Sequence, residues 1–137
     1  MRTVEVSRLV EAPPSAVDEA LDPVSIIEYE GSFKVFDVDW HEDHWVVVAG
    51  GSGLRLVLRF EERDDGVFYE QEEAEGQPLE TMETTITYRP KGGGTEVTAV
   101  STVSMGVRPA MLMDRLAAWK RKGELRRALA SLAEDVE

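Results

Sequence analysis

Between Thr3 and Glu11 the apolar residues Val4, Val6 and Val10 share one parity, and Arg8 falls on the same side. A period of two is that of a half-buried strand, so this segment is read as the first strand, with Arg8 on its inward parity. The period then changes. In "APPSAVDEALDP" Pro14 suits a first helical turn, Ser15 to Leu21 form a short helix, and Asp22-Pro23 stops it. A second short helical turn, Val24 to Tyr29, leads to Gly31. From Phe33 the two-residue period returns, broken by turn chemistry at "HEDH", "GGSG", "RDDG", "EGQP" and "PKGGG". These reversals cut the region into six strands, near 33–41, 44–50, 53–62, 67–75, 79–89 and 95–104. Strands joined by such short turns are antiparallel neighbours. Beyond them lies one long helix with Pro109 near its start, in which Leu112, Leu116, Trp119, Leu125, Leu129, Leu132 and Val136 recur at spacings of three, four and six.

The chain of 137 residues suits one domain, residues 1–137, with no repeat, linker or low-complexity segment. It has no cysteine, which excludes disulfides, thiolate zinc sites and cysteine nucleophiles. The first residues alternate polar and apolar, unlike a signal peptide or a membrane span, so a cytoplasmic protein without stable membrane insertion is expected. Asp and Glu number 27 against 15 Lys and Arg, a formal net charge of -12. That balance disfavours nucleic acid and anionic membranes as partners. Because the carboxylates are spread along the chain, adaptation to a salt-rich cytoplasm is a further expectation.

The order of elements and the stretch "VEAPPSAVDEALDP", residues 10–23, resemble the START-like (SRPBCC) helix-grip superfamily, which includes polyketide cyclases and lipid-transfer domains. The resemblance covers nearly the whole chain, and the stretch marks a strand-to-helix junction that carries no catalytic residue. It implies an α+β fold in which a curved seven-stranded antiparallel sheet, with two short helices after its first strand, grips the long C-terminal helix. Between sheet and helix it implies a cavity for a hydrophobic or amphipathic small molecule. One apolar face on the strands, with only the long helix large enough to cover it, agrees with this arrangement.

The chemistry the residues offer is sparse. In "WHEDHW" a two-residue turn at Glu42-Asp43 places His41 opposite His44 on one sheet face and Trp40 opposite Trp45 on the other. Parity with Val38 and Val47 sends the tryptophans inward and the histidines to water. Facing histidines could hold a divalent metal, but a hairpin tip supplies few further ligands, so no metal and no cofactor are expected. "GGSG" is followed by a strand and not by a helix N-terminus, which makes it a hairpin turn and not a phosphate cradle. Arg8, if inward, needs a carboxylate or an anionic ligand; Tyr69 and Glu73 share one face of their strand and are the partners considered. Both faces of that strand are mixed, so its register stays open. Arg115, Lys120, Arg121, Lys122, Arg126 and Arg127 give the long helix a basic run, read as a solvated face. Gly123 lies within this run, either packed closely against the sheet or marking a kink that gates the cavity.

The expected function is therefore binding of a hydrophobic or amphipathic molecule by a monomer or homodimer. Trp40, Trp45, Leu56, Leu58, Phe60 and Met82 from the sheet, with Met111, Leu116 and Trp119 from the helix, are the expected cavity residues. Arg8, Tyr69 and Glu73 are its expected polar groups. The alternatives are a cyclase/dehydrase-like enzyme using the same pocket, with catalytic residues unassigned, and a protein-interaction module using the basic helix face.

Overall fold

A computed structural model describes residues 1–51, 53–72, 81–107 and 109–137. Strand β1 (Arg2–Val10) is followed by α1 (Pro14–Ala20) and α2 (Pro23–Glu30). Then come β2 (Lys34–His41), β3 (His44–Gly51), β4 (Leu54–Arg63), β5 (Gly66–Gln71), β6 (Thr81–Lys91), β7 (Gly94–Ser104) and α3 (Ala110–Val136). From β2 onward each strand pairs antiparallel with the next, and β1 pairs with β7, giving the order β1-β7-β6-β5-β4-β3-β2. With α3 packed against β1, β7 and both short helices, this is the α+β helix-grip architecture. The expected "EGQP" reversal, the strand ends at 73–75 and 79–80, and Ser52 of "GGSG" lie outside the described residues.

Local chemistry accounts for the entry into this fold. The apolar members of residues 10–23 turn inward: Val10, Ala12, Val17, Ala20, Leu21 and Pro23 are buried. Asp22 caps α2 by accepting the Ser25 main-chain N–H at 2.9 Å and the Ser25 hydroxyl at 2.7 Å. Gly31 closes the helix at φ 77°, a left-handed conformation suited to glycine. The cap fixes the last residue of α2, Glu30. Arg127 of α3 clasps the same helix end, donating from Nε to the Glu30 main-chain carbonyl at 2.6 Å.

The "WHEDHW" hairpin pairs Trp40 with Trp45 and His41 with His44, joined by Glu42 at φ 45° and Asp43. The tryptophan rings meet at 4.7 Å on one face and the histidines stack at 5.5 Å on the other. Trp45 packs against the core, but Trp40 is 50% exposed. Trp40 belongs to β2, an edge strand. Trp40 thus keeps the inner face, shared with Trp45 and Phe60, but is left half uncovered, because right parity on an edge strand does not ensure cover.

The long helix departs from the expected stripe. Leu125, Leu129 and Leu132 are buried, whereas Met111, Leu112, Leu116 and Trp119 are exposed, Trp119 to 79%. In their place Asp114, Ala118, Arg121 and Glu124 face the interior. The six-residue spacing between Trp119 and Leu125 is the reason. At 3.6 residues per turn, six residues rotate about 240°, so the two halves of the apparent stripe point in different directions. The C-terminal leucines decide which half docks, and the straight i, i+3, i+4 continuation from Leu125 runs back through Arg121, Ala118 and Asp114. Gly123 is exposed, with nothing within 4 Å of where its Cβ would stand, and α3 runs unbroken past it. Close packing of Gly123 is thereby ruled out, and no break marks a gate. No helix among the described residues is long and apolar enough to cross a membrane.

Candidate functional site

Strand alternation turns Leu56 and Leu58 of β4, Tyr69 of β5 and Met82 of β6 toward the inner face. Between them, the C-terminal end of α2 and the first half of α3 is a cavity of about 190 Å³. Its apolar wall is Ile27, Phe33, Ala49, Leu56, Leu58, Met82, Met105 and Ala117. Its polar side is Glu30, Ser32, Tyr69, Gln71, Lys120, Arg121 and Glu124.

Arg121 organises the polar side. Only 4% exposed, it donates from Nε to the Ser101 hydroxyl at 3.1 Å and from Nη2 to the Thr84 and Tyr69 hydroxyls at 2.8 and 2.9 Å. Nη1 pairs with Glu30 Oε1, and with Glu124 Oε1 at 3.5 Å. The Tyr69 hydroxyl in turn donates to Glu30 Oε2 at 2.5 Å, and the Ser32 hydroxyl donates to Glu124. Phe60, fully buried, stacks on the Tyr69 ring at 4.5 Å and holds it in place.

The charges follow from this geometry. Burial alone pulls the Arg121 guanidinium down, but the Glu30 carboxylate, backed by Tyr69 and Glu124, more than offsets it, and the group stays charged. Burial, and after it the Glu30 carboxylate, pushes the Tyr69 phenol up, so its hydroxyl stays protonated. The other two tyrosines also donate to carboxylates, Tyr29 to Asp135 and Tyr88 to Asp18. Tyr29 rises mainly through burial, and Tyr88 is pushed up to about 12 by its Asp18 hydrogen bond. Because these folded values exceed the unfolded value of about 10, the stabilisation is complete below pH ~10 and fades as pH rises through the folded values. An absorbance titration is expected to show no tyrosinate step near pH 10 in the folded protein. A native step there would contradict these hydrogen bonds.

Of the residues expected at the cavity, Leu56, Leu58, Tyr69 and Met82 line it. Phe60 lies behind Tyr69, and Trp40 and Trp45 stand at the hairpin end, apart from the lining. Met111, Leu116 and Trp119, which were expected as lining, are exposed to 77%, 52% and 79% on the outer side of α3. Arg8 keeps the inward parity, opposite buried Val97, but β1 is an edge strand and its side chain is exposed. The guanidinium beside Tyr69 is that of Arg121, not Arg8, and Glu73 lies outside the described residues. The register of β5 is settled by tertiary packing: Val67 and Tyr69 are buried, while Phe68 turns away beneath Arg63.

Arg121, Glu30, Glu124, Thr84 and Ser101 are the site residues that the sequence reading missed. A signal for two of them existed. Thr84 lies on the inward parity of Met82 and Ile86, and Ser101 on that of Ala99 and Val103, so each interrupts an apolar face. A polar residue at such a position implies a buried partner. Arg121 was concealed within the basic run of α3.

No family model matches the chain, and no curated protein matches it. Solved structures do. TTHA0849 from Thermus thermophilus is similar at 22% identity and a TM-score of 0.77, covering 98% of this chain and 97% of its own. A START superfamily protein from Mycobacterium smegmatis superposes at 13% identity and a TM-score of 0.70, covering 98% of this chain and 99% of its own. Ara h 8.0201 does so at 12% identity and a TM-score of 0.64, covering 97% and 98%. At these identities the likeness is one of fold, and it runs from end to end. The chain has the START-like helix-grip fold.

Proposed function

We propose that the protein binds a small hydrophobic or amphipathic molecule in the cavity between the sheet and α3. The observation that carries this reading is the division of the cavity into an apolar wall and a single buried polar cluster around Arg121. Apolar walls with a few convergent polar groups are the usual make-up of a small-molecule site. The full-length likeness to a START superfamily protein supports the same reading. A volume of about 190 Å³ is below the ~300–1,000 Å³ of common ligand pockets. The natural ligand is therefore small, or inserts one end only.

Ala117 lines the cavity from α3 and is only partly buried, so a larger side chain there fills the cavity without overpacking the core. With phenylpropanol as probe, Ala117→Phe is expected to weaken binding by at least about tenfold in calorimetry, roughly 1.4 kcal/mol, with circular dichroism unchanged. Equal affinity in the variant would place the probe elsewhere.

A second reading adds turnover to the same pocket. Tyr69, buried and hydrogen-bonded to both Glu30 and Arg121, is the residue that would position a substrate oxygen in a cyclase/dehydrase-like reaction. In this reading Tyr69→Phe lowers turnover by a larger factor than it weakens phenylpropanol binding.

A further inference from the structure

Among the described residues Arg121 is the buried cation of the cavity, and its donors are already engaged. A guanidinium carries five N–H groups. Those of Arg121 are shared among Ser101, Glu30, Glu124, Tyr69 and Thr84. The hydroxyls of Tyr69 and Ser32 donate to Glu30 and Glu124. Gln71 also lines the cavity and is not without a partner. Among the described residues, the buried donors of Arg121, Tyr69 and Ser32 therefore have partners within the protein.

Acceptor capacity is in surplus. Two carboxylates, Glu30 and Glu124, face one buried guanidinium, and a carboxylate offers about four lone-pair positions. The two other nearby cations do not reverse this balance. Lys120 is exposed, and its charge is screened by water. Arg127 is also exposed, and two of its five N–H groups go to the Glu30 carbonyl and the Ser32 hydroxyl.

We infer that the polar end of the ligand is a hydrogen-bond donor, a hydroxyl or an amine received by Glu30 and Glu124, and that carboxylate and phosphate heads are rejected. The inference rests on the cavity being the binding site. A donor head meets lone pairs that are already desolvated and held in place. An anionic head would have to displace a protein acceptor from Arg121 and then sit beside two like charges, which is discrimination by repulsion as well as by attraction.

Three probes with one apolar body separate the possibilities: phenylpropanol, phenylpropylamine and phenylpropionate, titrated calorimetrically at neutral pH. The alcohol and the amine are expected to bind at least about tenfold more tightly than the carboxylate. All measurable binding should weaken in Ala117→Phe. Glu124→Gln keeps the shape and removes one charge, and is expected to lower affinity for the amine several-fold more than for the alcohol. Phenylpropionate binding as tightly as the other two would overturn the donor inference and leave the cavity reading standing. Failure of all three probes to bind would overturn both.

Discussion

Arg121→Ala is expected to lower the unfolding free energy by about 3–5 kcal/mol, the usual cost of removing one partner from a buried ion pair. The size of the effect comes from what is left behind. Glu30 loses its counter-charge, whereas the buried Thr84, Ser101 and Tyr69 hydroxyls lose one donor and keep the Thr84–Ser101 and Tyr69–Glu30 hydrogen bonds. A buried carboxylate without its counter-charge bears a desolvation cost that exceeds the net worth of the pair it lost. Urea unfolding followed by circular dichroism measures the change. Arg8→Ala is the control, because an exposed edge-strand arginine is expected to stay within about 0.5 kcal/mol. If the two variants lost equal stability, the cluster around Arg121 would not be the organising element of the interior.

Phe60→Ala is expected to cost a similar amount, about 3–5 kcal/mol, by a different mechanism. Phe60 is fully buried and stacks flat on Tyr69, with ring planes 13° apart. Its removal leaves a void behind the wall of the cavity, and neighbouring β-strands tied by ladder hydrogen bonds cannot collapse to fill it. The transition midpoint in urea should fall with little change in its slope, the mark of lost stability without altered compactness of either state. The variant should also loosen Tyr69, so phenylpropanol affinity is expected to change although Phe60 does not touch the cavity. A loss below about 1 kcal/mol would mean that the ring is not held as described. The two variants together distinguish a polar fastening of α3 to the sheet from an apolar one within it.

Much of this fold is legible in the chain because its signals are local. Alternation from Val4 to Val10, the proline-bounded helices and the glycine-rich turns each act within a few residues, and the described elements form near where their patterns place them, although β5 ends at Gln71 and not at 75. The same holds for "WHEDHW", where matched positions on two strands become the pairs Trp40 with Trp45 and His41 with His44. The cavity is partly legible for the same reason: Leu56, Leu58, Tyr69 and Met82 reach it through strand parity, which a sequence displays directly. Helix α3 shows where that legibility stops. Its leucines, methionines and tryptophan read as one apolar face until the six-residue step from Trp119 to Leu125 is converted to an angle, and even then either half could dock.

The sequence by itself determined the number, type and order of the elements, the antiparallel connections and the parity of most strand residues. Those properties follow from backbone geometry and nearest neighbours. Tertiary structure decided which face of α3 meets the sheet, which residues of the edge strands are covered, and that Arg121, in the middle of a basic run, is buried while Arg8 on an inward parity is not. The partners of Arg121 lie 91, 52, 37 and 20 residues away, at Glu30, Tyr69, Thr84 and Ser101. A buried charge is stable only when such distant groups converge on it, and that convergence is a property of the folded chain, not of any stretch of its sequence.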